Sequence, residues 1–194
     1  MTDVQSQPQP SAPPSPTPPD SADRRPSFPG PTEGGDPRVA DVRRRLQTAH
    51  DASATPPAAA AAKLASQNKL YVRERISLLF DEGSFVEDGR YANAMSAGLP
   101  ADGVVTGRGT VEGRPAIVVA NDPTVKAGSW GARTVEKIIR ATEMALREEL
   151  PVFWFIDSAG ARITDQVDLF PGRRGAGRIF KNQVALSGRV PFST

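Results

Sequence analysis

The run Asp157-Ser158-Ala159-Gly160-Ala161-Arg162 directly follows an apolar stretch, VFWFI. Small side chains at 158–161 leave the backbone N–H groups open to a ligand. Two such groups aimed at one point form an oxyanion hole, which needs no side-chain acid. A helix starting at 162 would add a partial positive charge at the same place. The chemistry this suits is a thioester carbonyl whose oxygen becomes an enolate. The same residues also read as an ordinary turn from strand to helix. A second small-residue run, Val125-Lys126-Ala127-Gly128-Ser129-Trp130-Gly131, leaves the strand AIVVAND. It either shapes the wall beside the first loop or serves as punctuation with Ser129 as helix cap.

Basic residues offer a second kind of chemistry. Arg173, Arg174, Arg178 and Lys181 lie together within PGRRGAGRIFK and could hold phosphates. No Gly-Lys-Ser/Thr follows these glycines, so the segment is not a P-loop, and no strand directly precedes it, as a dinucleotide fingerprint requires. A solvated helix start is the alternative. Lys69, Arg73 and Arg75 read as a salt-bridged surface face with Glu74. The run Arg43-Arg44-Arg45, beside Asp41, carries no functional reading.

What the chain lacks narrows the field. It has no cysteine, and His50 is its one histidine. That removes disulfides, thiolate nucleophiles, Cys-ligated metals, histidine metal clusters and a Ser-His-Asp triad. The expectation is therefore no metal site. A net charge of +2 is too small to argue for nucleic acid. No apolar run is long enough to span a membrane, and the N-terminus lacks the apolar stretch of a secretory signal. The expected location is cytoplasmic, with no membrane partner.

The elements that position these loops follow from composition and period. Most of the 19 prolines fall in residues 1–60, which carry few large apolar side chains. That segment reads as a disordered Pro/Ala-rich tail, interrupted by a short basic helix over 36–51. Residues 61–194 form the folded domain. A helix is expected to run through 63–80 on Leu64, Leu70, Ile76, Leu79 and Phe80, with Gly83 closing it. DGVVTGRGTVEGRPAIVVAND predicts a hairpin turning at Glu112–Pro115, its second strand buried on both faces. Val135, Ile138, Ile139, Thr142, Ala145 and Leu146 recur at helical spacing, so 132–150 is an amphipathic helix ended before Pro151. A strand over 152–157, a helix from the Gly-rich run to Ser187, and another strand at the C-terminus complete the pattern. The fold class is α/β.

Five segments together resemble the carboxyltransferase (beta) subunit of biotin-dependent acyl-CoA carboxylases, of the propionyl-CoA and methylcrotonyl-CoA type. They are KLYVRERISLLFDEGSFVE, DGVVTGRGTVEGRP, NDPTVKAGS, VFWFIDSAGARI and DLFPGRRGAGRIFKNQVALSGRVP, in order over about residues 63 to 192. Each is weak alone, and the succession carries the resemblance. It implies a crotonase-like (ClpP/crotonase) superhelix of ββα units, here incomplete, and transfer of a carboxyl group from carboxybiotin to the α-carbon of an acyl-CoA. The enolate oxygen would be held by the backbone N–H groups of Ala159 and Gly160. Ala159 departs from the family's usual glycine pair. Gly128, Ser129, Ala161, Arg162 and Ile163 would border the acyl-CoA. Released biotin can take the α-proton itself, which agrees with the absence of histidine and cysteine chemistry.

The resemblance also implies partners: an acyl-CoA, a biotin carboxylase or biotin carrier subunit bringing the biotin on another chain or domain, and further copies of the beta subunit. The matched stretch ends within the first of the family's two domains. The N-terminal part of such a subunit is therefore expected, unable alone to complete carboxyl transfer and inclined to aggregate through an uncovered apolar face. Two other readings remain open. One is a related crotonase-type hydratase, isomerase or decarboxylase; a hydratase would need a carboxylate, for which Asp165 and Asp168 are available. The other is a non-catalytic CoA-binding or assembly fragment.

Overall fold

The computed structural model describes residues 36–194 except Met95, Ala97 and Thr194. Residues 1–35, expected to be a proline-rich tail, lie outside the described residues. From Pro37 onward the chain departs from the tail reading. Helix α1, Pro37–Ala54, opens with the Asp36 carboxylate accepting the Arg38 N–H at 2.9 Å and with Pro37 in its first turn. Proline fits there because that N–H has no helical partner to lose. The helix is docked by polar contacts at its far end. The Ser53 carbonyl accepts Arg73 Nε at 2.6 Å, and Ser53 Oγ accepts Arg90 Nε at 2.9 Å. The supposed boundary at 60/61 falls inside helix α2, Ala58–Ser66.

The single helix expected over 63–80 is two. Helix α2 stops at Gln67, and Asn68 takes the left-handed conformation at φ 57°. The Lys69 N–H then bonds to the Leu64 carbonyl at 2.9 Å and the Asn68 N–H to that of Ala65 at 3.0 Å. This is a Schellman closure with asparagine in glycine's place. Helix α3, Val72–Leu79, follows after this break. Leu64, Ile76 and Phe80 are buried as the stripe demands, but Leu70 sits in the break and is exposed.

A five-stranded sheet in sequential order forms the centre. Strand β1 is Val86–Asp88, β2 Val104–Val111, β3 Arg114–Asn121, β4 Val152–Phe155 and β5 Phe192–Ser193. The first three are antiparallel; β4 and β5 join parallel to β3 and to β4. The β2–β3 hairpin turns on Glu112-Gly113, both at positive φ, the two-residue geometry whose twist matches its strands. Asp81 clamps this turn, accepting the Glu112 and Gly113 N–H groups at 3.0 and 2.9 Å and the Thr110 hydroxyl. These bonds favour the carboxylate and hold its pKa below the ordinary range.

Strand β3 is buried on both faces from Ala116 to Asn121, as its unbroken apolar run requires. Ile117 and Val119 face one layer with Val135, Ile138 and Ile139 of helix α4, Ala132–Glu148, and with Ile179 and Leu186 of a C-terminal helix, Gly177–Leu186. Ala116, Val118 and Ala120 face Leu64, Val72 and Ile76 of α2 and α3. The sheet is thus a middle layer with helices on each side. Between β4 and the C-terminal helix lies a one-turn helix α5, Gln166–Leu169, so the C-terminal helix is α6.

Candidate functional site

Strands β3 and β4 run parallel, with Val119 opposite Trp154 and Ala120 opposite Phe155. Their C-terminal ends therefore release two loops side by side, 122–131 and 156–162. This is where open α/β sheets bind ligands. The loops are zipped together. The Ala159 N–H donates to the Ala127 carbonyl at 3.0 Å, Trp130 N–H to the Gly160 carbonyl at 2.8 Å, and Arg162 N–H to the Trp130 carbonyl at 2.8 Å. Asn121 Nδ2 supports the first loop from below through the Gly128 carbonyl at 3.3 Å. Gly128, at φ +66°, has no room for a side chain, since a Cβ would run into the Asp157 carbonyl oxygen. Small residues are needed here so that two backbones can touch.

The structure brings Gly128, Ser129, Ala159, Gly160, Ala161 and Arg162 together, but it changes several of their expected roles. The Ala159 N–H is committed to Ala127, so it does not stand ready as an oxyanion donor. The Gly160 N–H rests on the Ser158 hydroxyl at 3.1 Å. No long helix begins at 162: a three-residue 3-10 turn, Ile163–Asp165, leads into one-turn α5. A helix this short supplies little of the expected dipole. Ser129 is not the helix cap; Gly131 occupies that position. Ile163 is 84% exposed and does not line the cleft described below.

Arg162 is a buried clamp rather than an open pocket edge. Its guanidinium donates to Asp102 Oδ1 at 2.5 Å, to the Asp102 carbonyl at 3.2 Å and to the Ser129 carbonyl at 3.0 Å. Its buried Nε has no hydrogen-bond partner among the described residues. Asp102, fully buried, also takes the Thr134 N–H at 2.6 Å and so caps α4 from another segment. Ala101 and Asp102 both adopt positive φ to reach this arrangement. The first turn of α4 is thereby tied through the Asp102 carboxylate to Arg162, which in turn holds the other loop at the Ser129 carbonyl. Lys137, on the same helix, is buried too and donates to the Ala101 carbonyl at 2.9 Å and to the Val104 carbonyl. Burial pushes its ammonium down to about 8, against an opposing pull from the Glu87, Asp102 and Asp88 carboxylates.

Beside the zipped loops lies a cleft of about 480 Å³ lined by Lys63, Gln67, Lys69, Ala127, Ser158 and Ala159, among others. The break between α2 and α3 forms its far wall. Lys69 reaches across to Asp157 at 2.8 Å. The surface face expected around Glu74 does not form: Arg73 pairs bidentately with Glu87 at 2.7 and 3.0 Å, and Arg75 lies over the Phe155 ring at 4.5 Å. The Arg173–Lys181 cluster takes its blander reading. Arg174 pairs with Glu136 through two bonds of 2.8 Å, and Arg178 with Glu143 at 3.0 Å. Reasoning from sequence missed Asp102, Thr134, Lys63 and Lys69 as parts of the site. Only Thr134, three residues after Gly131, carries a faint capping signal.

A hairpin, a helix on the sheet and a parallel strand ending in a small-residue loop are the ββα arrangement of the crotonase-like fold. Residues 63–194 match the carboxyl transferase domain, and the chain belongs to that family. Among its relatives, an uncharacterized carboxylase of Bacillus subtilis (strain 168), YngE, is 63% identical over 125 residues, which are 64% of this chain and 24% of that protein. The biotin-dependent 3-methylcrotonyl-coenzyme A carboxylase beta1 subunit of Mycobacterium tuberculosis is 43% identical over 127 residues, 64% of this chain and 24% of that one. A crystal structure of transcarboxylase 12S, with methylmalonyl-coenzyme A and methylmalonic acid bound, is similar at a TM-score of 0.67 and 36% identity, covering 80% of this chain and 31% of that one. The chain spans about a quarter of the length of the curated relatives it matches. Among the described residues, no helix is long and apolar enough to cross a membrane.

Proposed function

We propose that residues 63–194 are the acyl-CoA-binding part of a biotin-dependent acyl-CoA carboxyltransferase. One observation carries this reading: two small-residue loops are zipped together at the ends of parallel strands, with Gly160 at their crest and a lysine-lined cleft beside them. The cleft suits a CoA thioester. Its carbonyl would sit at the loop crest, where the Gly160 N–H can meet developing negative charge. Lys63 and Lys69 stand where the phosphates of the carrier can be met. The chain's own residues bind, orient and polarise. The carboxyl group would arrive on biotin held by a partner chain or domain, and no residue described here is assigned to the biotin ring. Asp165 is turned to Arg162 and Thr164, and Asp168 is exposed on α5, so neither supplies the carboxylate a hydratase would need. Copies of the chain would assemble with one another and with a biotin-bearing subunit.

Titration calorimetry of the full 194-residue chain with propionyl-CoA tests this. The wild type is expected to bind. Lys69→Glu should weaken binding by about tenfold, more at low salt than at high. Gly128→Ala should abolish it, because the added methyl group separates the two loops. No binding by the folded wild type, or an affinity indifferent to both substitutions, would overturn the proposal.

A further inference from the structure

Two of the polar groups at the loop crest are tied to the facing loop: the Ala159 N–H by the Ala127 carbonyl and the Gly160 carbonyl by the Trp130 N–H. The Gly160 N–H is different. It donates to a side chain two residues back in its own turn, Ser158 Oγ at 3.1 Å. The surroundings leave that bond replaceable. Gly160 is exposed at φ +98°, and beyond its chain neighbours no atom lies within 4 Å of where its Cβ would stand. Ser158 is only half-buried and lines the same cleft as Lys63 and Lys69. A serine hydroxyl swings away on a single bond, between staggered positions, without moving the backbone. The oxygen that replaces it needs only to be an acceptor in the same place.

We infer that Ser158 is a positioning residue whose hydroxyl occupies the Gly160 N–H in the free protein and yields it to the thioester oxygen of a bound acyl-CoA. The inference rests on the acyl-CoA reading above and adds a residue to it. The hydroxyl fixes the direction of the N–H before substrate arrives, and its departure costs one neutral, partly solvated hydrogen bond. Such a bond corresponds to a factor of about three to ten in affinity. Because the competition is for the carbonyl oxygen alone, it should fall only on ligands that have one.

The test compares propionyl-CoA with its thioether counterpart, S-propyl-CoA, which lacks the carbonyl, on the full chain. Ser158→Ala should bind the thioester about three- to tenfold more tightly and the thioether unchanged. Ser158→Thr, which keeps the hydroxyl, should return the wild-type ratio. With a ¹³C-labelled carbonyl, the infrared stretch of bound propionyl-CoA should lie below that of the free ligand, and equally so in wild type and Ser158→Ala, because the Gly160 N–H has been yielded in both. A merely structural serine would shift both affinities together. If Ser158→Ala weakens the thioester, the hydroxyl is a donor to substrate and the inference is overturned. An unchanged ratio also overturns it while the acyl-CoA reading stands. If the wild type binds neither ligand, the acyl-CoA reading fails and this role falls with it.

Discussion

Arg162 illustrates how a residue beside the proposed substrate loops can act by holding other residues in place. Its side chain is 9% exposed and its partner Asp102 is fully buried. Burying two charges gains little net stability, but removing one partner strands the other in a poor dielectric and costs about 3–5 kcal/mol. Here the stranded group would be Asp102, which also holds the N-terminus of α4 through the Thr134 N–H. Arg162→Met should therefore destabilise the chain by about 3–5 kcal/mol in urea unfolding. In Arg162→Met/Asp102→Asn the second change should cost less than it does alone, by about 1–3 kcal/mol, because the lone charge is gone. Strict additivity of the two would refute the clamp. The resemblance set Arg162 at the edge of an acyl-CoA pocket, whereas the structure ties it to Asp102, 60 positions earlier, and no spacing in the chain links the two.

At the scale of elements, legibility followed the range of the interactions. The hairpin, α4 and β4 declare themselves through period and turn chemistry, both of which act over a few residues. Helix α4 even continues to the position expected, closing at Glu149 in the left-handed conformation just before Pro151. The α2–α3 break turns on Asn68, whose tolerance of positive φ is shared with many asparagines that do not use it. Helix α1 was legible as a helix over 36–51 and not as a docked one. Val39, Val42 and Leu46 face outward, and the docking runs through Ser53 to Arg73 and Arg90. The buried Lys137 was hidden for the opposite reason, since a lysine among the charges of an amphipathic helix looks solvated. It yields a prediction about α4. With a folded pKa near 8 against an ordinary 10.5, Lys137 binds fewer protons when folded than unfolded across that interval. Its penalty is full below pH 8 and is relieved as pH rises towards 10.5, so it tilts stability upward with pH. The whole effect is at most about 3 kcal/mol. Tyr71, whose phenol burial and Asp122 hold above its ordinary value, acts in the opposite sense above pH 10. Urea unfolding between pH 7.5 and 9.5 should thus show a rising component that Lys137→Met removes. An equal slope in both proteins would contradict a charged, buried lysine.

The molecule as a whole has two unlike sides. Helices α2 and α3 cover one face of the sheet, and charged residues there find distant partners, Lys69 of the break between them with Asp157 and Arg73 of α3 with Glu87. On the other side, the region after β4 leaves large apolar side chains in solvent: Ile163 at 84%, Val167 at 82%, Phe170 at 53%, Phe180 at 64% and Val184 at 77%. Phe180 and Val184 are one helical turn apart on α6, while Leu186 and Ile179 of the same helix are buried. So α6 is apolar on two faces, and only one of them meets the α4 layer. Exposed apolar surface gathered on one side of a chain is a candidate interface. The sheet edges give less opportunity for association, because β1 has three residues and β5 two. The isolated chain should therefore associate through the α5–α6 side rather than by strand pairing. Light scattering should report a mass above 20.6 kDa that rises with concentration. Val167→Lys/Val184→Lys should lower it towards that of one chain without loss of secondary structure. Charge placed on β1 at Val86, also exposed, should leave association unchanged. A wild-type chain that stays at the mass of one copy across the micromolar range would refute this, and a response to the β1 substitution alone would move the contact to the sheet edge.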